Sequence, residues 1–124
     1  MYDIAGDTWS IYNLDQAVTR IAPNSTYKPY CALFGLDQQI ITIDNSKLEW
    51  NHESYPFSNW EADQTLSSAM KYSVNWYFDT ILSSLSTEMQ SNYLRLLQYG
   101  NQSPKDTSSI FGMETSLKIS PVEQ

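Results

Sequence analysis

Asn24-Ser25-Thr26-Tyr27-Lys28-Pro29-Tyr30-Cys31-Ala32-Leu33-Phe34-Gly35-Leu36 is where the chain changes its hydrophobic period. Tyr27, Tyr30, Cys31, Leu33, Phe34 and Leu36 recur at helical spacing, with Asn24 or Ser25 placed to start the helix. Upstream the pattern is that of strands. Tyr2 to Ala5 and Thr8 to Tyr12 flank a turn or bulge at Gly6-Asp7. Asn13 to Gln16 reads as a polar reversal, and Ala17 to Ile21 resumes alternation until Pro23 stops it. Downstream, Leu48 to Trp60 sets Trp50, Tyr55, Phe57 and Trp60 among polar residues as an ordered aromatic loop. A second helix is expected from an Asp63 N-cap. A third runs from Trp76 through Leu85, and a fourth is capped by Ser86 or Thr87 and closed by Gly100. The spacing predicts an α+β fold in one domain, residues 1–124, with a β-hairpin over 1–23 and a mainly helical part over 24–124.

Composition narrows the partners. The 124 residues carry a net charge of −7 with no Lys/Arg cluster, which disfavours nucleic acid and anionic membranes. No apolar run nears the ~20 residues of a membrane span, and no signal peptide is expected. One cysteine, Cys31, excludes an internal disulfide, and its apolar surroundings predict inert core. One histidine, His52, limits any His-based triad to itself and argues against a metal site; it reads as a loop residue. The acidic residues are scattered and expected in solvent.

Ser25-Thr26-Tyr27-Lys28 is an S-x-x-K tetrad at a helix start. Residues three apart share a helix face, so Lys28 reaches the Ser25 hydroxyl, and a lysine kept neutral by burial can take its proton. The helix N-terminus favours the oxyanion of acyl transfer. The same four residues also suit ordinary capping. Ser73-Val74-Asn75 has the S-x-N form that partners S-x-x-K in serine acyltransferases, while Ser73 or Asn75 would equally cap the helix at Trp76. Tyr99-Gly100-Asn101 reads by itself as a helix end and turn.

Taken in order, these motifs resemble a family. Pro23 to Lys28, Ala32 to Leu36, Trp50-Asn51-His52, Tyr55-Pro56-Phe57, Trp60, Asp63 to Leu66, Ala69-Met70-Lys71, Ser73 to Phe78, Tyr99 to Asn101 and Ser116 to Ser120 are collinear with the class D β-lactamases. They are most similar to the penicillin-sensing domains of BlaR/MecR receptors. The resemblance implies a penicillin-binding transpeptidase-like fold in which Ser25 attacks a β-lactam and Lys28 is its base, commonly as a carbamate formed with carbon dioxide. Ser73 would relay the proton to the leaving nitrogen. Asn75, Tyr99, Gly100 and Asn101 would face substrate. It implies no other cofactor, no metal, no nucleic acid, no direct membrane contact by this stretch, and a membrane-anchored parent with the domain on the extracellular face.

Three departures shape the expectation. The family's K-T-G strand would lie after Lys118-Ile119-Ser120, so the resemblance implies a fragment. Gly112 stands where the family has a Trp that helps hold the carbamate. Pro29 removes a backbone donor and biases Lys28 away from helical angles, predicting a distorted tetrad. Asn75 is what separates sensor from enzyme, since the lactamases usually carry Val or Ile there. The first reading is therefore a sensor acylated once. Its rivals are a β-lactamase that turns over and an inactive structural piece.

Overall fold

In a computed structural model, residues 1–104 and 115–124 are described. The predicted hairpin is present but short: β1 (Tyr2–Asp3) pairs antiparallel with β2 (Thr8–Trp9), Tyr2 opposite Trp9. The Tyr2 and Trp9 rings meet at 4.8 Å, and both strands are exposed. Asn13 to Gln16 is not a reversal. Asn13 adopts a left-handed conformation that its short amide side chain tolerates, accepts from the Gln16 amide, and nucleates α1 (Leu14–Ala17). The helical turn runs on through its C-cap Val18, so Ala17 and Val18, which alternation assigned to a strand, are not in one. Only Ile21 recovers strand pairing, as an antiparallel bridge to Ile119.

A 3₁₀ turn over Asn24–Tyr27 runs straight into α2 (Lys28–Asp37). Pro29 sits in the first turn of α2, where amide hydrogens have no intrahelical acceptor, so its missing donor costs nothing. Lys28 keeps helical angles (φ −56°, ψ −40°) and the predicted distortion does not occur.

Three further helices complete the described fold: α3 (Leu66–Tyr72), α4 (Asn75–Ser83) and α5 (Thr87–Leu96). Thr65, not Asp63, caps α3, through a reciprocal box with Ser68. The Asp63 carboxylate is already taken by the Trp50 amide (3.0 Å) and Lys47 (2.7 Å). Ser86 caps α5. The Gln90 side chain, three residues after Thr87 and so spaced for a capping box with it, instead closes the end of α4 by donating to the Leu82 and Leu85 carbonyls.

The core is the seam between α2 and α4, where Tyr27, Cys31 and Phe34 pack with Tyr77, Phe78, Ile81 and Leu82, all buried. Gly35 permits the approach: a Cβ there would lie 2.8 Å from Ile81 Cγ2. The seam fixes the first turns of both helices side by side. The expected aromatic loop is ordered by a Leu48–Gln64 bridge and a 3₁₀ turn at Ser58–Trp60, but Phe57 is 58% exposed and is not core. Among the described residues, no helix is long and apolar enough to cross a membrane. The architecture is α+β, with a small hairpin and a helical body.

Candidate active site

Three chain segments converge on one amine. Lys28 opens α2, Ser25 precedes it by one 3₁₀ turn, and the α3–α4 junction supplies Ser73 and Asn75. Lys28 Nζ donates to Ser25 Oγ at 2.8 Å, Ser73 Oγ at 2.9 Å and Asn75 Oδ1 at 2.7 Å. The two hydroxyl oxygens lie 3.2 Å apart. The Phe78 ring lies beneath the amine, 5.8 Å to its centroid.

Neither Ser73 nor Asn75 is the N-cap of α4; Ser73 is instead the C-cap of α3. Val74 is the N-cap of α4 and makes no side-chain cap, while Ser73 ends α3 in the left-handed region at φ 54°, ψ 44°. A non-glycine residue held there costs about 1–3 kcal/mol, so the junction spends stability to aim the Ser73 hydroxyl at Lys28. Asn75, one peptide further, opens α4 with its amide oxygen on the same amine.

The environments of nucleophile and base differ. Lys28 is only 2% exposed, whereas Ser25 is exposed. Burial pulls the Lys28 pKa below the ordinary lysine value, opposed by the nearby charges of Cys31 and Asp79. A dry base beside an accessible hydroxyl is the arrangement nucleophilic catalysis requires. A hollow of about 360 Å³ opens on this cluster, lined by Ser25, Phe57, Asn59, Trp60, Tyr72, Ser73 and Asn75. A second hollow of about 540 Å³, walled by Ile21, Pro23, Ile119, Pro121 and others, shares only Ser25 with the first.

Tyr99, Gly100 and Asn101 are engaged elsewhere. Tyr99 is buried against Tyr27 and Tyr30, and its hydroxyl donates to Gln124 Oε1 (3.1 Å), which also accepts from Thr26 Oγ1 (3.0 Å). Gly100 lies against the Lys118 carbonyl. Asn101 donates to the Ser116 carbonyl (2.8 Å) and accepts from the Lys118 amide (3.0 Å). Gly112 lies outside the described residues. Sequence reasoning missed Phe57, Asn59, Trp60 and Tyr72 as lining residues. The available signal was Phe57 alone among Pro56, Ser58 and Asn59, a large apolar residue with no periodic partner.

Known proteins are similar to this chain along its length. Regulatory protein BlaR1 of Staphylococcus aureus is 45% identical over all 124 residues, covering 100% of this chain and 21% of that protein. The methicillin resistance mecR1 protein of Staphylococcus aureus is 40% identical over the same share of each. The C-terminal domain of the Bacillus licheniformis BlaR penicillin-receptor superposes with a TM-score of 0.81 at 38% identity, covering 90% of this chain and 45% of that one. A class D β-lactamase from Bacillus subtilis superposes with a TM-score of 0.89 at 32% identity, covering 98% and 52%. The chain thus spans about a fifth of the length of these curated relatives and about half of the solved domains. The family described as penicillin binding protein transpeptidase domain matches residues 5–124, and with the tetrad, the S-x-N junction and the shared fold in agreement, the chain belongs to that family.

Proposed function

We propose that this chain forms the acylation site of a BlaR/MecR-type β-lactam sensor, in a membrane-anchored receptor with the domain on the extracellular face. Benzylpenicillin would enter the hollow above Ser25. Lys28, as the free amine, accepts the Ser25 proton while Oγ bonds to the lactam carbonyl carbon. The carbonyl–nitrogen bond then breaks, and the proton passes from Lys28 through Ser73 to the departing nitrogen. Lys28 ends as it began, and Ser25 carries an ester.

The observation that carries the sensor reading is the 2.7 Å contact from Lys28 Nζ to Asn75 Oδ1. Asn75 and the two hydroxyls give the three N–H bonds of an ammonium three acceptors. A carbamate would instead bring anionic oxygens to an amide oxygen, so these residues suit the bare lysine and no step is routed through carbon dioxide. An ammonium cannot take a proton from water. Deacylation therefore lacks its base, a loss that typically costs ~10²–10⁴ in rate. The small amine fraction that suffices for attack on a strained lactam leaves hydrolysis of the unstrained ester slow.

The test is an intact-mass spectrum of the full-length protein after benzylpenicillin, with a chromogenic cephalosporin run in parallel. One adduct on Ser25 and a stoichiometric burst support the sensor. Labelling of Ser25→Ala defeats the assignment. Hydrolysis of many equivalents per second transfers the reading to a class D β-lactamase.

A further inference from the structure

Ser73 holds a left-handed conformation without being glycine, and the residues that hold it there reach back to Trp76. The Tyr72 carbonyl belongs to the peptide plane that enters Ser73, and it accepts from Trp60 Nε1 at 3.1 Å. Trp60 is held in turn: its carbonyl accepts from Trp76 Nε1 at 2.9 Å. Trp76 is 8% exposed on α4, one residue after Asn75. Two indole N–H groups in series thus tie the loop at Ser58–Trp60 to both helices that meet at Ser73. Resting on the proposed acylation chemistry, we infer that Trp76 is a positioning residue for the Ser73 hydroxyl and acts through Trp60.

Turning the Tyr72–Ser73 peptide plane is what would let Ser73 leave φ 54° for ordinary backbone angles. The N–H edge of that plane is held by the main chain, Ser73 N donating to the Ala69 and Met70 carbonyls as α3 ends, with Val74 N on Ala69 beside it; its carbonyl edge is held from outside the helix. The Trp60 indole N–H holds that carbonyl edge. Releasing it would swing Ser73 Oγ away from Lys28 Nζ and Ser25 Oγ together, because one oxygen makes both contacts. Proton transfer would suffer while the hollow, which Trp60 also lines, kept its shape, since its loop stays held by Gln64 Nε2 on the Asn59 carbonyl (2.8 Å) and by the Leu48–Gln64 bridge. Misplacement by about 1 Å is enough to slow such a step ~10²-fold.

The experiment measures, in the full-length protein, the acylation rate constant at saturating benzylpenicillin and the dissociation constant of the pre-covalent complex. Trp76→Phe should lower the rate constant by ~10–100-fold and leave the dissociation constant within about threefold. Trp50→Phe loses an indole bond to the Glu53 carbonyl, in the same loop and away from Ser73, and should leave both constants unchanged. In a Ser73→Ala background, Trp76→Phe should have no further effect, which a general loosening of the fold would not produce. Should Trp76→Phe fail to fold, 3-benzothienylalanine at position 76 keeps the ring outline and drops only the N–H, with the same expected slowing. Full-rate acylation by either variant overturns the inference while the acylation reading stands, as does equal slowing with and without the Ser73 hydroxyl. An unmodified protein that takes up no benzylpenicillin defeats both.

Discussion

Two turns in this molecule are built from similar parts and do opposite work. The first joins α3 to α4 through left-handed Ser73, then Val74 and Asn75. The second leaves α5 through left-handed Gln98 and Gly100 and then Asn101. Both reverse the chain after a helix, and both place an Asn just beyond the left-handed residue. At the first, the Ser73 and Asn75 side chains face a buried amine. At the second, the Asn101 side chain binds both a carbonyl and an amide of the 116–118 segment, in place of a neighbouring strand. What stands opposite decides the role. A desolvated cation demands acceptors that can also pass a proton, whereas backbone carbonyls and amides demand a partner of the opposite kind.

The largest effect should come from Lys28→Met, which keeps the buried stem and removes the amine. Acylation by benzylpenicillin should slow ~10²–10⁴-fold with the circular dichroism spectrum unchanged. The counterpart in the second turn is Gly100→Ala. A Cβ there would meet the Lys118 carbonyl oxygen at 2.0 Å, with φ at +51° besides. We expect a stability loss of about 3 kcal/mol or more in chemical denaturation, with the surviving folded molecules acylated at the normal rate. A Gly100→Ala protein of normal stability but poor acylation would erase the distinction between the turns.

Much of this contrast was legible in residues, and its limits are physical. The Ser25–Lys28 pairing follows from helical spacing, and the α2–α4 core follows from the apolar period around Phe34 and Phe78. What escaped was three-dimensional competition for groups. Asp63 looks like an N-cap until Lys47 and the Trp50 amide claim it. Thr87 and Gln90 have box spacing, but Gln90 finds better employment on two carbonyls at the end of α4. Pro29 looks disruptive only while the helix start is placed before it. Tyr99 to Asn101 carried a substrate-facing expectation by resemblance, and nothing local to that turn tells that its polar atoms are spent on Ser116, Lys118 and Gln124.

A smaller effect separates the two asparagines on the stability side. Asn101→Ala removes three exposed bonds, to the Ser116 carbonyl and the Ser103 and Lys118 amides, that water can partly replace, so a loss of about 1 kcal/mol is expected, seen as a modest drop in denaturation midpoint. Acylation should stay within twofold of the unmodified rate. A tenfold fall would mean that Asn101 touches the ligand and that the second turn is part of the site after all.

The finest discrimination is a pH profile. Acylation needs the Lys28 amine, so its rate should climb with pH toward the folded-state pKa, which burial holds below the ordinary lysine value, and level off above it. Asn75 Oδ1 accepts from Nζ in either state but more strongly from the ammonium, so it holds that pKa up. Asn75→Val removes the acceptor and dries the site further, and both changes disfavour the charged form. The limb should therefore move to lower pH, by about one unit if a single charge-assisted bond of ~1.4 kcal/mol is lost. Just below the limb the amine fraction then rises ~10-fold, and the acyl-enzyme gains the base that water activation lacks. Asn75→Val should thus show an earlier rise in acylation and, after the burst, a slow steady state with a chromogenic cephalosporin. Asn101→Ala should move neither. A limb that stays fixed in Asn75→Val, or moves to higher pH, would show that Asn75 does not set the protonation of Lys28, and the chemical difference between the two turns would then rest on Ser73 alone.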